Sequence, residues 1–171
     1  MIKKTIVEKA LIRILYSKLG KVVNNWFRRR RNKKLPEELP FLRPLNWDGS
    51  VDTSYDYTWT HLDNFPRGWH KLIVKYLREV KTVLVRYGQL NKLIIVESKE
   101  KWGEARIYYS GLDNSDCYDE IDEIFNRMSA ESGKTCCVCG RKAEYQTLGW
   151  ILPFCGKCIK RTSGRNCKIE N

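Results

Sequence analysis

The sequence contains few of the residues from which enzyme active sites are usually built. It has only two histidines, His61 and His70, and none follows residue 70. A nuclease that holds its metal through histidines needs several of them beside that metal, so this pair argues against that class. Neither a glycine-rich phosphate loop nor a nucleophile elbow is present. The sequence therefore predicts a protein without catalytic activity.

The sequence also lacks long hydrophobic runs. Its longest uninterrupted aliphatic stretch, Leu93 to Val96, is too short to cross a bilayer. The basic N-terminal segment shows no secretory hydrophobic region, because Lys9, Arg13 and Lys18 interrupt its apolar residues. Seven cysteines, an odd number, do not fit a secreted disulfide scaffold. We therefore expect a reducing, cytoplasmic setting.

Four of the seven cysteines are spaced as in a metal site. Cys136 and Cys139 form one Cys-x-x-Cys pair, and fifteen residues separate it from the second pair, Cys155 and Cys158. Each pair directs two sulfurs at one point, and two pairs complete the tetrahedron of a four-thiolate zinc site. Because four thiolates leave no open coordination position, the predicted Zn²⁺ is structural. Unligated thiols or a redox pair are the alternative.

The other three cysteines are predicted to stay outside the metal site. Cys137 lies within the first pair and is a bystander unless the ligand register slips by one residue. Cys117 and Cys167 are expected to be spare thiols. Of these two, Cys167 lies close enough in sequence to the second pair to act as a reserve ligand.

Positive charge is concentrated at the two ends of the sequence. The formal net charge is +12, with +11 on residues 1–34, +6 on residues 134–171 and −6 on residues 113–133. Two basic regions at opposite ends favour a polyanionic partner. The alternative is that the charge serves only solubility, with a disordered basic tail.

Residues 1–34 are predicted to form a basic amphipathic helix. Apolar residues recur at three- and four-residue steps from Ile2 to Phe27 and run into a basic block. Packing of this apolar stripe on the protein's own core is the favoured fate of most of its residues, and a membrane-surface helix is the least favoured. The block and its tryptophan suit phosphate contact with base stacking, and the residues concerned are Trp26, Arg28, Arg29, Arg30, Arg31, Lys33 and Lys34.

Three further segments complete the predicted α+β fold. Residues 35–64, rich in proline and aromatic residues, are predicted to be a linker or wrap that packs on the core. Residues 65–133 are predicted to form a helix–hairpin–helix body, and residues 134–171 a zinc ribbon with a basic tail.

Local signals set the expected boundaries within the body. Its first helix begins near Pro66 and ends at Gly88, and its second runs from Ser115 to Ser129 with Tyr118 facing inward. Between the helices, strands at 93–96 and 105–110 flank a turn at 99–103.

Several motifs follow one another in a fixed order across residues 64–160. They are Gly68-Trp69 at a helix start, Lys99-Glu100-Lys101-Trp102-Gly103 before Arg106-Ile107-Tyr108-Tyr109, Ser132 ahead of Cys136-x-x-Cys139-Gly140, and Gly149-Trp150-Ile151 before Cys155-x-x-Cys158. This order resembles a family of small, largely uncharacterised proteins of phages, prophages and bacterial genomes, which usually has Phe where Trp102 stands. The resemblance implies a compact α+β body with a zinc ribbon, a mobile-element origin and no established catalytic activity.

Two binding functions are predicted from these features. In the first, basic surfaces bind nucleic acid, with RNA or single-stranded DNA favoured over a duplex read by sequence. In the alternative, a phage-encoded inhibitor of anti-CRISPR type binds a host defence nuclease or nucleoprotein through protein–protein contacts. The ribbon residues proposed for either role are Arg141, Lys142, Trp150, Lys157, Lys160 and Arg161. Trp150 could stack on a base, although packing across the ribbon is the favoured expectation.

Overall fold

The computed structural model describes the backbone of residues 18–46, 50, 52–162 and 165–169, and the side chains from residue 25 onward. Helix α1 spans Lys18–Glu38 and carries the basic block. Most of the predicted apolar stripe between Ile2 and Phe27 lies outside the described residues. The helix continues through Pro36, so the wrap begins four residues later than predicted.

The wrap packs on the core only in part, because several of its large side chains are buried while Leu45, Tyr57 and Trp59, which were expected to pack, are exposed. Two short 3₁₀ turns, Pro40–Leu42 and His61–Asn64, organise it. The side chains buried there are Leu39, Phe41, Leu42, Leu62 and Phe65.

Helix α2, His70–Arg86, is the central element of the core and follows a 3₁₀ turn, Arg67–Trp69. Its apolar residues recur with the helical period, which places one continuous face in the interior. Gly88 has a φ of 66° and ends the helix where predicted. The fully or almost fully buried side chains of this segment are Trp69, Ile73, Tyr76, Leu77, Val80, Val83 and Leu84.

Strands β1, Ile94–Lys101, and β2, Glu104–Ser110, form the antiparallel hairpin. The turn contains only two residues, Trp102 and Gly103, so the predicted turn at 99–103 is too long. Both residues have positive φ, as a type I′ turn requires, and this tight turn lets the strands pair up to Lys101.

Helix α3, Ser115–Gly133, packs against α2 and β2. The Asn114 side chain caps it by accepting a hydrogen bond of 2.8 Å from the Cys117 backbone N–H. The prediction that Tyr118 faces inward is wrong, because its side chain is exposed while Cys117 and Ile121 occupy the buried face. The helix also runs four residues beyond Ser129, where Ser132 is buried.

The ribbon contains short elements only. Strands β3 (Tyr145–Thr147), β4 (Pro153–Phe154) and β5 (Asn166–Lys168) form an antiparallel sheet in the order β4-β3-β5. Helix α4, Gly156–Ile159, begins directly after Cys155 and contains Cys158, so the second cysteine pair lies at its start. Helices and small antiparallel sheets together confirm the α+β fold class. No described helix is both long enough and apolar enough to cross a membrane.

Candidate metal centre and basic surfaces

The four predicted ligands meet at one point of the ribbon. The sulfur atoms of Cys136, Cys139, Cys155 and Cys158 all lie within 4.8 Å of one another. Cys136 and Cys139 flank a turn closed by a hydrogen bond of 2.9 Å from the Gly140 N–H to the Cys136 carbonyl. The second pair begins where β4 meets α4. The ribbon fold therefore assembles a four-thiolate cluster.

The spacing of the sulfurs fits a tetrahedral metal ion. Zn–S bonds of about 2.3 Å place tetrahedral sulfurs about 3.8 Å apart. The Cys139 and Cys155 sulfurs are 3.6 Å apart, which is near that value and far beyond a disulfide bond. All seven cysteines are free thiols. The cluster can therefore hold a metal ion.

Arg141 supplies positive charge directly beside the sulfurs. Its Nε donates to Cys139 Sγ and its Nη2 donates to Cys155 Sγ, both at 3.4 Å. The bond from Arg141 lowers the pKa of the Cys139 thiol to about 6. Burial instead raises the pKa of the Cys158 thiol to about 12. Arg141, predicted to bind a partner, thus also stabilises thiolate character in the metal cluster.

The three other cysteines lie outside the cluster, as predicted. Cys137 is buried, and burial raises its pKa to about 12. Its backbone joins the ribbon to the body: its N–H donates to Pro153 and its carbonyl accepts from Gly68, each at 2.9 Å. Cys117 is buried in α3, and Cys167 is partly exposed on β5.

The first cysteine pair packs on the start of the central helix through two glycines. A Cβ added to Gly68 would lie 2.3 Å from the Cys136 carbonyl oxygen. A Cβ on Gly140 would lie 2.7 Å from the Gly68 carbonyl oxygen. The Trp69 indole N–H donates to the Thr135 carbonyl at 2.8 Å. Close backbone approach explains the glycines of the Gly68-Trp69 and Cys139-Gly140 motifs.

Most ribbon cations are exposed and lack acidic partners. Lys142, Lys157, Lys160 and Arg161 are exposed. None forms an ion pair with any acid in the described part of the chain. Backbone hydrogen bonds continue the helical path of α4 to Thr162. Residues 157, 160 and 161 therefore share one face, at helical spacings of three and four.

Trp150 does not pack across the ribbon, so that favoured expectation is wrong. Its side chain is 75% exposed at the tip of the β3–β4 loop. The loop is nevertheless well bonded, because the Thr147 hydroxyl donates to the Trp150 carbonyl at 2.6 Å and accepts from the Leu152 N–H at 3.0 Å. Thr147 thus fixes the backbone of the loop at Trp150, and the Trp150 side chain lies away from the core.

Arg31 in the basic block is used inside the molecule. It forms an ion pair with Asp63, and its Nη1 lies 3.1 Å from His70 Nδ1. Buried Asn32 donates to the same Asp63 carboxylate at 2.9 Å. Burial is the largest single effect on Asp63 and opposes its ionisation, but the hydrogen bond and charge of Arg31, with the bonds from Thr60 and Asn32, together outweigh burial and lower the pKa. Arg31 therefore anchors α1 within the molecule, and its role in partner binding stays a prediction.

The other residues of the basic block lie at the surface of α1, and their contacts differ from one residue to the next. Arg29 pairs with Asp56 at 3.3 Å, and Arg30 lies over the Trp26 ring at 5.5 Å. Arg28 donates to Asn25 at 3.0 Å. Trp26 is exposed, and the remaining two exposed cations of the block are Lys33 and Lys34.

Both histidines take part in internal contacts. His70 Nε2 is 3.0 Å from the Phe65 carbonyl, which can only accept, so Nδ1 is left to accept from Arg31. Burial lowers the pKa of His70, and it lowers the pKa of His61 to about 4. His61 Nδ1 is 3.3 Å from Ser98 Oγ. Neither ring is placed beside the cysteine cluster by these contacts.

The fold and the cluster define an α+β protein whose C-terminal ribbon holds four cysteines that can bind a metal ion, joined to a helical body. No family model, curated protein or solved structure matches this chain.

Proposed function

We propose that this protein is a zinc-stabilised, non-enzymatic binding protein whose ribbon engages RNA or single-stranded DNA. The contrast between its two kinds of cation carries the proposal. Cations of the body are mostly paired with acids, as in Arg86 with Glu120 and Arg127 with Glu79. The ribbon cations are exposed and lack such partners among the described residues.

This difference in pairing determines which cations can attract a polyanion. A cation paired with a carboxylate contributes little to long-range attraction, whereas unpaired cations on one surface attract phosphates and displace their counterions. Within the ribbon, residues 134–162 contain six basic residues but a single acid, Glu144. A strand of phosphates would therefore be drawn to the ribbon in preference to the body.

The metal cluster supports this function as a scaffold. Four thiolates with no open position can hold Zn²⁺ as a structural ion, and Zn²⁺ is the metal that this ligand set usually binds. The ion would fix β4 and α4 to the first cysteine pair. Lys157 lies between Cys155 and Cys158, so metal binding would also order the cationic face.

Charge reversal on the ribbon tests the proposal. The chain is titrated into a fluorescein-labelled 20-nucleotide RNA, and the corresponding DNA, at 50 and 200 mM salt with anisotropy as the readout. We expect micromolar or tighter binding that weakens steeply with salt. The double variant Lys157→Glu, Lys160→Glu is expected to lower the slope of log K against log salt by about 1.4, because two phosphate contacts are lost.

A matched double variant controls for net charge. Lys81→Glu, Lys92→Glu changes the total charge equally but lies on the body, in α2 and in the loop that follows it, and it should keep most of the affinity. Equal losses in the two double variants would show that only total charge matters. Absence of binding by the unchanged chain at 50 mM salt would contradict the proposal outright.

The defence-nuclease inhibitor predicted as the alternative gives a different result in the same system. A host nuclease that stays bound to the protein after nuclease digestion of all nucleic acid, with no affinity of the protein for free oligonucleotides, would favour that alternative. The phage origin implied by the resemblance supports only this inhibitor alternative.

A further inference from the structure

Two of the five described tryptophans are exposed without a ring partner. Trp102 is 71% exposed and Trp150 is 75% exposed. Among the described residues, neither ring contacts another aromatic ring or a cation. By contrast, Trp26 contacts Phe27 and Arg30, and Trp59 contacts His61 and donates to Asn64. Trp69 is fully buried.

The two exposed tryptophans come from separate hairpins that touch each other. Gly103, next to Trp102, packs on Ile151, next to Trp150. A Cβ added to Gly103 would lie 3.0 Å from Ile151 Cγ2 and 3.6 Å from Pro153 Cδ. Each tryptophan is thus one residue away from the contact between body and ribbon. We call Trp102, Trp150 and this contact the two-tryptophan surface.

The backbone at Trp102 is unusual for such a large residue. Its φ of 58° lies in the left-handed region, where the first position of a type I′ turn favours Asn, Asp or Gly. A side chain with a Cβ costs energy in this conformation, and a bulky aromatic residue is rare there. The turn would be more stable with Asn at this position. An exposed aromatic ring held at the expense of turn stability indicates a binding role.

The surroundings of the two-tryptophan surface are suited to a polar, anionic ligand. Lys101 is exposed beside Trp102. A cleft of about 460 Å³ between the hairpin and α3 is lined in part by Trp102 and Tyr108, by the cations Lys101 and Arg106, and by one acid, Asp122. The ribbon that carries Trp150 also carries the unpaired cations. Exposed aromatic rings on elements that also carry cations match the bases and phosphates of an unpaired strand.

We propose that the two-tryptophan surface stacks unpaired bases, so that the ligand is single-stranded nucleic acid bound across the junction of body and ribbon. The inference rests on the proposed function and adds to it the mode of binding, base stacking, and the body residue Trp102. Duplexes are excluded from this mode, because paired bases do not present their faces to the rings.

The variant Trp102→Asn separates binding from folding. Asn suits the positive φ of the turn, so the melting temperature should stay unchanged or rise. The affinity for a labelled 12-mer of uridine or thymidine should fall about 5- to 150-fold, the range for one lost stacked base. Trp150→Ala should give a similar loss. A 12-mer with the same phosphates but abasic sugars should bind the unchanged protein and Trp102→Asn equally.

Leu148→Ala serves as the matched control. Leu148 is an exposed apolar residue of the same loop as Trp150 but has no ring to stack. Its variant should keep full affinity, and a loss comparable to that of Trp150→Ala would overturn the inference in favour of general apolar contact.

The remaining outcomes separate this inference from the proposed function. Salt-dependent binding that Trp102→Asn leaves unchanged would overturn the stacking surface and retain the basic ribbon. Absence of any binding by the unchanged protein would overturn both. Equal losses of affinity for normal and abasic strands on Trp102→Asn would also overturn stacking. So would a host protein that binds after nuclease digestion and needs Trp102, if oligonucleotide binding does not need Trp102.

Discussion

At the scale of single residues, His61 links burial to pH-dependent stability. Burial lowers its pKa to about 4, so the folded chain rejects a proton that the unfolded chain accepts near pH 6.5. The contribution of neutral His61 to the free energy of unfolding is therefore fully present above pH 6.5 and is lost as the pH falls towards 4. At pH 5 this loss amounts to about 1–2 kcal/mol of unfolding free energy.

The variant His61→Asn tests this dependence. Urea unfolding at pH 7.5 and pH 5.0 should show a smaller drop for the variant, because Asn does not titrate. Comparing the two drops removes effects that both proteins share, such as protonation of the cysteine cluster. The same drop in both proteins would show that His61 is not the titrating group.

Residue scale also shows what sequence reasoning could and could not reach. The four ligands were predictable because a metal site depends on local Cys-x-x-Cys geometry, which spacing alone encodes. The role of Arg31 was not, because its partners Asp63 and His70 are more than thirty residues away in sequence. Trp150 was assigned to packing because apolar residues are usually buried. Its exposure follows from its place at the tip of the β3–β4 loop, and the loop geometry, which includes a bond from Thr147, leaves no period in the sequence.

At the scale of elements, the ribbon is attached to α2 by steric fit at Gly68. The variant Gly68→Ala should cost about 3 kcal/mol of unfolding free energy, because its methyl group would overlap the Cys136 and Cys137 backbone. It should also reduce metal retention, since the displaced segment contains Cys136. Urea unfolding and metal analysis of the purified variant provide the measurements.

Gly88→Ala is the control for the conformational role of glycine. Gly88 has a φ of 66° but no atom within 4 Å of an added Cβ, so Ala should cost only about 1–2 kcal/mol. Metal retention should be unchanged. If Gly68→Ala proved no more costly than Gly88→Ala, the close approach between ribbon and body would be contradicted.

Element boundaries were likewise predictable where local sequence signals set them and not where other factors did. The extent of α2 was predictable from its apolar period and from Gly88. The two-residue turn at Trp102 was not, because its positive φ is usual for Asn or Gly and unusual for Trp. The inward side of α3 was misassigned at Tyr118, where the neighbouring Cys117 takes the buried position against the body.

At the scale of the whole molecule, ribbon and body share one hydrophobic core but differ in what supports them. Helices α2 and α3 bury long apolar faces, and their stability needs no ion. The longest strand of the ribbon has three residues and its helix has four, so hydrogen bonds and burial alone give it little stability. A bound metal would supply the missing stability, as structural zinc does in other small domains.

Metal removal should therefore unfold the ribbon before the body. We expect one zinc per chain by elemental analysis, and Cys139→Ser or chelation should remove it. Amide exchange should then become fast across residues 134–162 and at Gly68, whose N–H donates to Cys137, while α2 and α3 stay protected. Cys167→Ser, which removes a thiol outside the cluster, should change neither zinc content nor exchange. Unchanged protection of the ribbon in metal-free protein would contradict a metal-dependent scaffold.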